Sequence, residues 1–352
     1  MACAAPRRRN GGDALRLGKQ RGFVLAVTLW VLAIVAIAAA YFAERMQHAT
    51  QLAQQAQLRT QALVQMAGTR AEILFRIATT PISLYGLGDS AKDAIALDDR
   101  AYGGLGNTLV RLQDNRGLLN LNVASDDQLE RFLNVLGAPA ARRAAMIDAL
   151  RDYIDVDNLK HLNGAEAADY AAAGLPPPRN AKLITPFEAK NIFGWKEVAP
   201  LWQDNLLPSL TTTSGSFSIN PNTALWQVLA TINGMTPAAA QAIVKTRNAT
   251  PIVHAGQIES LTGIAVSTDP FTLNFITLPT DSVRLTQQAR GMEWGWQYNV
   301  TLTPVSDTAP WRIDYFYRVA LLSNDGDKQV TIPVPARTAL TASFPENFLP
   351  AP

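Results

Sequence analysis

The chain has 352 residues, 48% of them apolar and 17% charged. That length suggests two or three domains, and that apolar content excludes a disordered chain. The 22 Gly and 21 Pro follow no three-residue period, which excludes collagen, and the lone cysteine, Cys3, excludes a disulfide framework or a thiolate zinc cluster. His48, His161 and His254 never fall at metal-ligand spacing. The formal charge of +2 joins two unlike regions. Residues 1–22 hold six bases and one acid, whereas the remainder holds 25 bases and 28 acids, without the basic excess of a nucleic-acid binder.

Residues 23–43, FVLAVTLWVLAIVAIAAAYFA, contain no charge. As a helix they span about 32 Å, enough for a hydrocarbon core of about 30 Å. Bases precede the run and Glu44-Arg45 closes it, so the positive-inside rule predicts a cytoplasmic N-terminus and a single pass. From Glu44 to Thr79 the chain is rich in Ala, Gln, Leu and Arg and lacks Pro. Leu52, Ala56, Leu63 and Ala67 recur near helical spacing and predict a face for partner helices. With the anchor this makes one helix of roughly 55 residues, about 80 Å long, ended by Pro81 and Gly86-Leu87-Gly88.

Residues 108–123 predict a β-hairpin turning at Asp114-Asn115-Arg116-Gly117. Strand character returns over 271–335, at Val283–Leu285, Gln297–Leu302, Arg312–Leu321 and Gln329–Val334, with a turn at Asn324–Asp327. Between these regions Ala-rich helical segments alternate with Pro and Gly, and an internal repeat stands out. One copy reads Leu119-Asn120-Leu121-Asn122, Ala124, Gly137; the other reads Ile219-Asn220-Pro221-Asn222-Thr223-Ala224, Gly234. Each predicts helix, Gly turn, helix.

Asp155, Asp157 and Glu166 stand at relative positions 1, 3 and 12, as in part of an EF-hand loop. Leu159 and Lys160 occupy positions 5 and 6, where that loop needs an oxygen donor and Gly, so no EF-hand forms. Crowded carboxylates still call for a compensating cation, with Asp169 and the Asn180 carbonyl as further donors. The alternative is that Asp152 and Asp155 face solvent, Asp157 caps a turn and Glu166 pairs with Arg179. The sequence shows no nucleophile elbow, P-loop, dinucleotide fingerprint or HExxH, and no enzyme is expected.

Lys19-Gln20-Arg21-Gly22-Phe23, set against the apolar span, resembles the type III signal of type IV pilins and pseudopilins. The resemblance implies cleavage after Gly22 by the prepilin peptidase and methylation of Phe23. Most pilins carry Glu at the fifth mature position; here it is Val27, a departure shared with the GspK class of minor pseudopilins. Asp155-Val156-Asp157, Gly164-Ala165-Glu166, Tyr170 and Arg179-Asn180 also resemble that class, as do the Asn-x-Asn-x-Ala repeats. The resemblance covers most of residues 18–265.

It implies an α+β pilin-like fold, a long N-terminal helix on an antiparallel sheet, interrupted by a large all-α insert with two helix-hairpin-helix/SAM-like repeats. The expected divisions are leader 1–22, transmembrane part 23–43, body 44–123, helical insert 124–268, C-terminal strands 269–340 and tail 341–352. It further implies an inner-membrane protein with a periplasmic domain, supporting type II secretion as part of a tip complex with other minor pseudopilins. The prepilin peptidase and the inner-membrane assembly platform are the other implied partners, and calcium the implied ion; the resemblance does not fix its ligands, for which the crowded acids Asp155, Asp157, Glu166 and Asp169 are the candidates. The second repeat also resembles DNA-binding helix-hairpin-helix units of competence receptors. Its turn, however, has one Gly, and only Lys245 and Arg247 follow on the next helix. Nucleic acid is therefore not the expected partner.

Overall fold

The computed structural model describes residues 21–215, 218–265, 275–320 and 332–333. Cys3, the leader up to residue 20, the turn expected at Asn324–Asp327 and the tail lie outside the described residues. The chain forms two compact units, residues 1–61 and 62–352. In the first, the described residues are all helical and their described side chains are exposed. They belong to α1, Arg21–Thr79, a 59-residue helix long and apolar enough to cross a membrane.

In the second unit, α1 buries Met66, Thr69, Ile73 and Ile77, a stripe at steps of three and four residues. Gly68 sits beside this stripe, where a Cβ would lie 3.0 Å from Leu105 Cδ1. Short strands β1, Ile82–Ser83, and β2, Gly86–Leu87, form a small hairpin. The main sheet collects β3, Asp98–Gly103, and β4, Thr108–Asp114. Brief β5, Leu119–Asn120, pairs in parallel with β6, Thr211–Thr212. Then come β7, Ser282–Ala289, β8, Trp294–Leu302, β9, Trp311–Ala320, and β10, Ile332–Pro333. The six-stranded order is β10-β3-β4-β7-β8-β9, antiparallel except for the parallel β10–β3 pair.

The two sheet faces differ because side chains alternate along a strand. Val110, Leu112, Val283, Leu285, Tyr298 and Val300 form a core with Ile73 and Ile77. Burying each such side chain contributes about 1.5–3 kcal/mol. The opposite face is polar yet covered, with Gln113, Arg284, Thr286, Gln297 and Asn299 all buried. These groups find partners in neighbouring segments, as buried polar groups must. Arg284 Nη1 donates to the Ser209 carbonyl at 2.7 Å, and Asn115 Nδ2 donates to Asn299 Oδ1 at 2.9 Å.

The hairpin expected over 108–123 does not form. After β4 the chain makes a 3-10 turn at Asn115–Gly117, and β5 turns away to pair with β6. The cause is Asp114, which is buried and accepts from Thr280 N, Asn220 Nδ2 and Thr223 Oγ1, each at 2.9 Å. It ties the end of β4 to the second repeat. Leu119 and Leu121 consequently join the helical core, ahead of the boundary expected at 124.

That helical core is built on α2, Asp126–Val135, α3, Ala140–Ile154, α4, Ala167–Ala172, α5, Ala199–Trp202, and α6, Leu206–Leu210. It continues through α7, Trp226–Leu229, α8, Pro237–Ala249, and α9, Ala255–Thr262. The repeat holds at the level of hydrogen bonds. Asn120 Oδ1 accepts from Asn122 N at 3.0 Å, and Asn220 Oδ1 from Asn222 N at 2.9 Å. Asn122 clamps Leu183 N, Leu183 O and Thr213 O; Asn222 clamps Ile252 N, Ile252 O and Thr277 O. Gly137 and Gly234 turn between the paired helices at φ of 80° and 77°, a region that favours glycine. Ser125 and Thr236 cap the N-termini of α2 and α8.

Candidate metal centre

The acids gather where α3 ends. Asp148, Asp152 and Asp155 follow one another at i, i+4 and i+7, so they share a helix face. Asp152 is fully buried, and its Oδ1 accepts from His161 N at 3.0 Å and contacts His161 Nδ1. Ligand atoms of Asp152, Asp155 and His161 all lie within 4.8 Å of one another. Gly164 permits the approach of the loop, since a Cβ there would stand 1.9 Å from Asp152 Oδ2. Asp148 Oδ2 anchors the same loop by accepting from Asn163 N at 2.9 Å and Asn163 Nδ2 at 3.1 Å.

Several oxygens here lack a hydrogen-bond partner. They are Asp152 Oδ2, Asp155 Oδ1, both carboxylate oxygens of Glu166, and Asn180 Oδ1. Burial, then the charges of Asp157 and Asp152, push the Asp155 carboxyl above its ordinary value. Burial, then Asp152 and Asp155, do the same to Glu166, against the pull of the Ala167 amide. Unpartnered oxygens in a carboxylate-rich pocket suit a hard cation with flexible oxygen coordination, which is the chemistry of calcium.

The expected ligands divide. Asp155 falls together with Asp152 and His161, which the spacing in the sequence did not place in the set, and Glu166 lies near enough for the charges of Asp152 and Asp155 to bear on it. Asp157 Oδ1 holds Leu159 N at 2.8 Å, the turn-capping role of the alternative reading, while its charge still bears on both acids. Asp169 is turned elsewhere: Oδ1 binds Lys160 Nζ at 2.9 Å and Oδ2 accepts from Glu166 N at 3.0 Å, because it caps α4. Asn180, at φ 51°, donates to the Asp157 carbonyl at 2.9 Å. The alternative pairing of Glu166 with Arg179 is overturned, since Arg179 Nη1 binds Glu188 at 3.0 and 3.2 Å. Asp152 likewise does not face solvent.

The other singled-out positions lie on α1. Gly22 and Phe23 are in its first turn, and Val27 is one turn further on. Leu52, Ala56, Leu63 and Ala67 are exposed; the buried stripe runs through Met66, Thr69 and Ile73 instead.

Residues 107–215 match the family model described as Type II secretion system (T2SS), protein K. A search of curated proteins finds no match. Among solved structures, a polypeptide of the GspK-GspI-GspJ complex from the type 2 secretion system of enterotoxigenic Escherichia coli aligns at 16% identity with a TM-score of 0.47, over 76% of this chain and 98% of that one. The stretch that matches the protein K family model carries the first Asn-x-Asn unit and the acids Asp152, Asp155 and Glu166.

Proposed function

We propose that the protein is a GspK-type minor pseudopilin that starts and caps the pseudopilus of a type II secretion system, in a tip complex with other minor pseudopilins. The observation that carries the reading is the protein K match over residues 107–215, downstream of a membrane-length helix. A helical insert of this bulk would clash if every subunit of a filament bore one, which leaves room only at the end. Val27 in place of an intramembrane carboxylate removes one means of docking beneath another subunit. The leader is removed after Gly22, Phe23 becomes a methylated N-terminus, and the domain beyond the span faces the periplasm. The exposed Leu52–Ala67 face then receives partner helices. N-terminal mass spectrometry of the membrane-extracted protein tests the processing step, with an intact Met1 terminus contradicting it. Copurification with the other minor pseudopilins tests the assembly.

Asp152, Asp155 and Glu166 are the residues that would hold calcium. The ion would neutralise their mutual repulsion and fix the loop from Asp155 to Glu166 against α3. Its role is structural, and no catalysis is assigned to it. The competence-like reading gains no support from Arg247, whose Nη1 is spent on the Pro221 and Ala224 carbonyls.

A further inference from the structure

The two repeats each carry an arginine on the second helix, reaching back to the carbonyl of the alanine that follows the Asn-x-Asn. In the first, Arg151 Nη2 donates to Ala124 O at 2.6 Å and also binds Asp126 Oδ1 at 2.7 Å. In the second, Arg247 Nη1 donates to Ala224 O, but the position matching Asp126 is Trp226. Arg247 is only 9% exposed, its Nε has no partner, and among the described residues it makes no ion pair. A buried cation without a counter-ion is costly. Burial accordingly pulls its pKa down to about 10, against the pull of Asp98.

Arg247 lines a cleft of about 680 Å³ between the segment 84–102 and the start of the second repeat. The cleft's two acids are already engaged: Asp98 is held by Arg100 at 2.6 and 2.7 Å, and Asp93 accepts from Ser90 Oγ at 2.9 Å. Of the other two cations lining it, Arg100 is the one that holds Asp98, whereas Lys92 is exposed and makes no ion pair among the described residues. Tyr102 Oη accepts from Ala96 N at 2.8 Å, which leaves its hydrogen to donate. Apolar walls come from Leu84, Leu97, Pro251 and Pro279. Unmatched cations above apolar walls fit a carboxylate on a polypeptide, because such a group gains charge-assisted bonds and buries its carbon body.

We propose that this cleft binds a carboxylate of an acidic polypeptide segment, either an Asp/Glu side-chain carboxylate or a free C-terminal one, which completes at Arg247 the ion pair that the first repeat makes internally with Asp126. Fluorescence anisotropy on the full-length protein in detergent micelles tests it with three labelled peptides: an acidic one with both ends capped, a neutral one with a free C-terminal carboxylate, and a neutral capped control. One of the first two is expected to bind, more weakly as salt rises, and which one binds identifies the source of the carboxylate. Lys92→Glu, at an exposed position that tolerates substitution, is expected to weaken binding at least fivefold, and Arg247→Lys at least as much. No binding by either carboxylate peptide, equal binding of the capped control, or affinity unmoved by Lys92→Glu would overturn the proposal. So would a duplex oligonucleotide that binds the cleft more tightly than either carboxylate peptide.

Discussion

The first and second repeats share a frame and differ in what is attached to it. Both use an Asn-x-Asn turn, a clamp by the second Asn, a Gly turn and an arginine braced on an alanine carbonyl. The first closes its arginine with Asp126 and carries the Asp152, Asp155 and Glu166 pocket after its second helix. The second has no acid at the position of Asp126, and its arginine borders a cleft. Residues that satisfy buried backbone groups have been kept in both copies, because an unmade buried hydrogen bond costs more than a made one contributes. Residues around the frame are free to differ, and that is where charge has been redistributed.

The strongest way to break this comparison is to remove the clamps. Asn122→Ala and Asn222→Ala each strip a side chain that makes three hydrogen bonds and leave backbone groups unmatched. Each is expected to cost about 3 kcal/mol, read from denaturant unfolding of the full-length protein in detergent. A large cost at one and none at the other would mean that the repeats are alike in shape only.

Next comes the acidic pocket, which belongs to the first repeat alone. Calcium at one hundred times its dissociation constant is expected to stabilise the fold by about 2.7 kcal/mol, and chelator to reverse this in a melting experiment. Asp155→Asn with Glu166→Gln should abolish the shift. The pH dependence has a definite sign. Both carboxyls are raised, so the folded protein keeps protons that the unfolded one has released. In chelator, their contribution to stability falls as pH climbs from the unfolded values of about 4 through the raised folded values. Relative to the wild type, the double variant should lose that decline. Identical pH profiles for the two proteins would mean that the pocket carries no such penalty.

Smaller effects sharpen the frame. Ser125→Ala and Thr236→Ala each remove an N-cap, and each is expected to cost about 1 kcal/mol. Asp126→Asn weakens an ion pair whose acid is largely exposed, so no more than about 0.5 kcal/mol is expected. A larger loss there would mean that the Arg151–Asp126 pair supports the frame, and the second repeat's lack of it would need another compensation.

Much of this was legible in the sequence. The uncharged run at 23–43 and the Pro-free stretch after it foretold α1, since helix length and composition are local properties. The repeat was legible because its Asn and Gly positions are dictated by backbone geometry. The hairpin at 108–123 was misread: Asp114 has turn chemistry, but its partners Asn220, Thr223 and Thr280 lie more than 100 residues away. β3, DDRAYG, gave no alternation to find, because a bulge between Asp98 and Ala101 and Asp99 at φ 67° break its period. Half of the acidic pocket was missed for a different reason. Asp157 and Asp169 are near in sequence to Asp155 and Glu166, but the helix period, not sequence distance, selects Asp152.

The most direct test of the central reading is a secretion assay in the source bacterium with this gene deleted. A minor pseudopilin that starts the pseudopilus predicts that exported proteins accumulate in the periplasm and return to the medium when the intact protein is restored, but not when Gly22→Val blocks leader removal. Unchanged export in the deletion strain would contradict it.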